Sequence, residues 1–291
     1  MAQIQRRESA GFTLIETVIY LIVFGLVIGA VLIGRGIIRS AELKAIVSDV
    51  SQFKHAAKLF RDKYGYLPGD FPKAEEAWSS LAGCPETAAS DLKTASTCNG
   101  NGNSFIGGTT SSAGTLNGTD QEVREGIRVW QHLSNAGFIE GAFTGTGNPA
   151  TGGGLGHGLN IPRGPGPESG YTMHFAASYM DTFGAYRADY GHVIVFGCGT
   201  CAVPGMMGMG GESSYPGLNN PAMMPALSPE DALAIDKMVD DGKPGTGQVL
   251  SYTPNFITAT RHCATSSSAA TADYKVAHKN PACSLIFITG F

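Results

Sequence analysis

Charge is scarce in this sequence. Lys, Arg, Asp and Glu make up 15% of its 291 residues, against about 25% in an ordinary soluble domain. The formal net charge of −4 gives no support to nucleic acid as an electrostatic partner. The arrangements that organise catalysis are missing too. No G-x-S-x-G orders the serines, and there is no phosphate loop and no H-E-x-x-H. The sequence therefore offers no residue set for an enzyme. Glycine, by contrast, is abundant at 40 residues, so long loops are expected.

The deficit of charge is complete between Thr17 and Gly34. As a helix those residues span about 27 Å, close to the ~30 Å hydrocarbon core of a bilayer. Arg6 and Arg7 precede the run, which favours a cytoplasmic N-terminus; Arg35 and Arg39 follow it and can snorkel to the interface. An ordinary secretory signal has a shorter apolar core and an A-x-A-like site after it. A twin-arginine signal needs an apolar stretch where Glu8-Ser9 stands. A plain signal anchor leaves Glu16 unexplained, since a charged side chain at the centre of such a helix costs roughly 2.5–3.5 kcal/mol.

Gly11-Phe12-Thr13-Leu14-Ile15-Glu16 resembles the processing motif of type IV prepilins and pseudopilins. The resemblance implies that a prepilin peptidase cuts on the cytoplasmic side between Gly11 and Phe12, that Phe12 is then N-methylated, and that Glu16 guides assembly. Cleavage exposes a cationic amine at Phe12. A buried carboxylate needs a partner, and a neighbouring subunit's amine can supply one for Glu16. The organisation implied is a leader at 1–11, a long helix at 12–63 with its membrane span at about 14–34, and a pilin-like domain at 64–291. The implied location is the inner membrane, single-pass with a periplasmic domain, and then a periplasmic or extracellular filament. The partners implied are prepilin peptidase, other pilin subunits and the inner-membrane assembly machinery. The role is a structural subunit, with a minor pilin that binds a surface or takes up DNA as the alternative.

Beyond Arg39, Leu43, Ile46, Val50, Phe53, Ala57 and Phe60 recur at helical spacing, a stripe that reads as packing against the domain's own sheet. Gly65 and Pro68 end this helix. Tyr64 to Pro72, the Asn99-Gly-Asn101-Gly-Asn103 loop and Trp130-Gln-His132-Leu are similar to segments of many prepilin-like bacterial proteins. Further helices are expected over 122–136, closed by Gly137, and over 227–240, capped by Ser228 with Pro229 at its first position. Strands are expected at 171–177, 192–196, 248–252 and 284–289, and loop over 141–170. The order gives an α+β fold: a long N-terminal helix, transmembrane in its first half, packed on a small antiparallel sheet with long loops.

Six cysteines are present, and disulfides persist outside the cytoplasm. Nearest-neighbour pairing joins Cys84 to Cys98, Cys198 to Cys201, and Cys263 to Cys283. The last resembles the C-terminal disulfide loop of many pilins. Cys198-Gly-Thr-Cys201 also fits a zinc site with His192, His262 or Cys263, or a redox pair, although no helix pattern follows it. No cofactor is required. The resemblance to pseudopilins leaves room for calcium, for which Asp236, Asp240 and Asp241 stand together before a glycine, without the alternating spacing of a calcium loop. Asn99, Asn101 and Asn103 alternate but carry no charge, and read as turn residues. Met206, Met207, Met209, Met223 and Met224 read as a flexible loop rather than a Cu(I) site.

Overall fold

The computed structural model describes residues 13–82, 84, 92–107, 121–147, 156–166, 168–176, 190–198, 225–252 and 263–291, with the backbone alone at 32 and 121–124. Two compact units divide at Glu42 and Leu43. Helix α1 (Leu14–Tyr64) supplies residues to both.

In the first unit the helix is apolar and bare. Leu14, Ile15, Leu21, Phe24, Leu26 and Ile33 are all more than two-thirds exposed. A surface of that composition is stable only in lipid or against other helices. Its one printed ion pair joins Arg39 to Glu42 at 2.9 Å, one turn apart.

In the second unit the stripe from Leu43 to Phe60 is buried. Phe53 lies edge-on to Trp130 and Tyr171, with ring centroids 5.0 and 5.1 Å away. Tyr171 donates its hydroxyl to Asp49 at 2.7 Å. The stripe is thus core packing within the domain, as expected. The helix stops where expected: Gly65, at φ +77°, donates its N–H to the Arg61 carbonyl, the left-handed closure that glycine takes without strain.

Four strands form one antiparallel sheet in the order β1-β2-β4-β3, with β1 at Ser169–Phe175, β2 at His192–Cys198, β3 at Val249–Tyr252 and β4 at Ser284–Ile288. Tyr171, Met173, Ile194, Phe196, Leu285 and Phe287 share a core with α1. Val193, Val195, Leu250 and Ile286 form a second cluster with Ala176 and Tyr190. Both faces are therefore buried, which explains why β2 reads as the unbroken run Val-Ile-Val-Phe rather than an alternation.

Helices α2 (Ala74–Trp78), α3 (Gln121–Asn135) and α4 (Pro229–Val239) complete the domain. Gly137 closes α3 at φ +76°. Ser228 caps α4, its hydroxyl accepting the Asp231 N–H at 3.2 Å, with Pro229 at the first position. The five-residue α2 was not legible in the pattern. In 156–166, where loop is expected, the chain makes only isolated bridges.

Phe60 sits at the centre of an aromatic group with Tyr64, Phe71, Trp78, His132 and Phe138 and is fully buried. Phe60→Ala is expected to destabilise the domain by roughly 3–5 kcal/mol, read as the shift in urea unfolding of the detergent-purified protein.

Candidate functional site

Residues 1–12 lie outside the described part of the chain, so Gly11 and Phe12 have no geometry here. Thr13 is the residue before the first helical turn. Its carbonyl accepts from Glu16 and Thr17 N–H groups at 3.1 and 3.2 Å, and its hydroxyl lies 3.3 Å from the Glu16 N–H. Thr13-Leu-Ile-Glu16 is thus half of a capping box. The sequence carries that signal in its Thr-x-x-Glu spacing, and it gives Glu16 a second reason for its position: a carboxylate in the first turn complements the helix dipole. The following helix holds an 18-residue window long and apolar enough to cross a membrane, none of it buried.

Two of the three expected disulfides are present. Cys84 and Cys98 have Cα atoms 5.6 Å apart, and Cys263 and Cys283 are 4.9 Å apart. Cys201 lies outside the described residues, and the third pairing with it; so do His262 and the five methionines of 206–224. Cys263 is used in its bridge and is not available to zinc. His192 points elsewhere: its Nε2 accepts the Ile106 N–H at 3.3 Å and its Nδ1 lies 3.0 Å from the Phe291 carbonyl oxygen. The Cys263–Cys283 bridge closes a 20-residue separation around a polar segment. Replacing both cysteines by serine is expected to remove roughly 3 kcal/mol by chain-entropy reasoning, seen as a lower unfolding midpoint that matches the reduced wild type.

Asp236, Asp240 and Asp241 do come together, with ligand atoms within 4.8 Å of one another. They end α4 and turn the chain into β3. Asp236 is fully buried. It accepts from Gly242 N–H at 2.8 Å and from the Tyr274 hydroxyl at 2.7 Å. Asp240 accepts from the Asp241, Gln248 and Val249 N–H groups. Asp241 accepts from Lys243 N–H at 2.8 Å and Thr246 Oγ1 at 2.5 Å. Burial, and then the hydrogen bond with Asp240, push the Asp236 carboxyl well above the usual carboxylate range. Burial also pulls Asp240 up, but the bond from Asp236 and three N–H groups outweigh it and hold Asp240 low.

A second polar centre was not anticipated. Asp70 and Glu125 are fully buried, and the asparagine loop wraps them. Asn103 and Ser104 donate their N–H groups to Asp70 at 3.0 and 2.9 Å; Asn101 and Gly107 donate to Glu125 at 2.9 and 3.0 Å. Burial first, opposed by those donors, pushes Glu125 up to about 8. Asn101 and Asn103 accept the N–H two residues on, at 2.9 Å each, the turn role expected of them. His132 holds the loop's other end: its Nδ1 accepts Gly69 N–H at 3.0 Å and its Nε2 lies 3.2 Å from Thr97 Oγ1. Burial, then Arg128, hold His132 down at about 3. The available signal was helical phase, since Glu125, Val129 and His132 fall on one face of α3.

No curated protein and no solved structure matches the chain. One family model does, that of the prokaryotic N-terminal methylation motif, over residues 6–32. The chain therefore carries a prepilin-type methylation motif at the head of a bare, apolar, pilin-like helix.

Proposed function

We propose that this chain is the precursor of a membrane-anchored subunit of a type IV pilus or related secretion-type filament. The observation that carries the proposal is the placing of the methylation motif directly before an exposed apolar helix with one carboxylate, Glu16, in its first turn. In this reading prepilin peptidase removes residues 1–11 and Phe12 is methylated. The helix then holds the protein in the inner membrane with its domain in the periplasm, and the assembly machinery passes it into a filament. The Phe12 amine of one subunit meets Glu16 of the next, so each neutralises a charge that hydrocarbon would penalise. The α+β domain stays on the filament surface, held by its core and disulfides, in a structural and non-catalytic role.

Stoichiometry in sheared filaments tests the reading. A structural subunit is abundant along the filament. Trace incorporation would move the chain to the minor-subunit role, with its loops as a binding surface, and absence from the filament fraction would contradict both.

A further inference from the structure

The chemistry of the acidic turn does not suit a calcium ion. Calcium takes six to eight oxygen ligands at about 2.3–2.6 Å. Asp236, Asp240 and Asp241 offer carboxylate oxygens, and every one of those already accepts a hydrogen bond from a protein donor. An ion would have to strip the Gly242, Val249 and Lys243 amides and the Tyr274 hydroxyl of their acceptors, and each buried donor left unmatched costs about 1–3 kcal/mol. Nor is there room over Asp240: even a Cβ on Gly247 would lie 2.1 Å from its Oδ2. The Asp236–Asp240 side-chain hydrogen bond itself requires a proton, because two ionised carboxylates have none to share.

We infer that Asp236 and Asp240 share a proton, and that this protonated pair, not a divalent cation, closes the turn and latches it to the Cys263–Cys283 loop. The latch is Tyr274, which lies inside that loop and whose hydroxyl ends on Asp236 across 38 residues of sequence. Lys243 adds a bond to Asp273 of the same loop at 2.5 Å. The charged and titratable groups that bear on the pair are Asp241, Tyr274, the Lys243–Asp273 pair, and Lys54 from α1, whose charge acts on Asp240. With a proton instead of an ion, the C-terminal loop keeps its place whatever the calcium concentration outside the cell.

The sign of the pH effect follows. A carboxyl whose proton is held more tightly in the folded state loses its stabilising contribution as pH rises from its unfolded value, near 4, to its raised folded value. Asp236→Asn keeps the shape and supplies amide hydrogens in place of the shared proton. Its carbonyl accepts from Gly242, and its two N–H groups can reach Asp240 and the Tyr274 oxygen.

Thermal unfolding of the full-length protein in detergent provides the test, with millimolar calcium chloride or with chelator, at pH 6 and pH 9. The wild-type midpoint is expected to be the same with calcium as with chelator. It is expected to fall between pH 6 and pH 9 by at least about 2–4 °C more than that of Asp236→Asn. A calcium-dependent rise of several degrees in the wild type would overturn the inference without any variant, and so would equal pH slopes in the two proteins. These outcomes are independent of filament assembly.

Discussion

Gly11→Val leaves the precursor at full length. The cut implied by the motif falls after Gly11, on the cytoplasmic side of a helix that begins at Leu14. A protease that reads this site must draw the chain into an extended form close to its own backbone. Glycine permits that approach because it has no Cβ, whereas valine adds a branched side chain that is stiff at χ1. The substitution leaves the apolar helix untouched, so membrane insertion continues and the uncut chain collects in the inner membrane. Electrophoresis and intact mass on membranes from cells with and without the peptidase read the result. Wild-type cleavage of the variant would detach the site from the motif.

Glu16→Gln produces the opposite pattern: normal processing with failed assembly. Glutamine preserves length and helix propensity and removes the charge. In lipid the change is favourable, since a carboxylate is costly there. In a filament it leaves the neighbouring Phe12 amine without its counter-ion, and removal of one partner of a buried pair costs about 3–5 kcal/mol. Even half of that reduces incorporation more than tenfold. The Thr13 cap is kept, because its hydroxyl bonds to the Glu16 backbone and not to the side chain. Equal amounts of variant and wild type in sheared filaments would show that packing alone sets the register.

The parts of this molecule that were legible in sequence are those where one residue's neighbours determine its fate. The stripe from Leu43 to Phe60 announces a buried helix face by its period, Ser228-Pro229 announces a helix start, and the Val-Ile-Val-Phe run announces β2. The α2 helix has too few residues for a period. It is held from outside, by the reciprocal bonds between Glu75 and Asn99 and by Trp78 against Phe60 and Tyr64. Asp236 shows the same limit at a candidate site. Its company with Asp240 and Asp241 was visible, but its burial depends on Tyr274, and nothing near Asp236 records that. Asp70 and Glu125 were missed because their partners are main-chain amides of a distant loop, which have no sequence signature. The two disulfides were readable because, outside the cytoplasm, chain proximity makes neighbouring cysteines meet.

The central claim, that this chain is cut, methylated and built into a filament through its first helix, is tested most directly by the N-terminal peptide of the chain recovered from sheared filaments. Mass spectrometry is expected to find a chain that begins at Phe12, with one added methyl group on its amine. A chain that retains residues 1–11, or begins elsewhere, in cells that contain the peptidase would contradict the account.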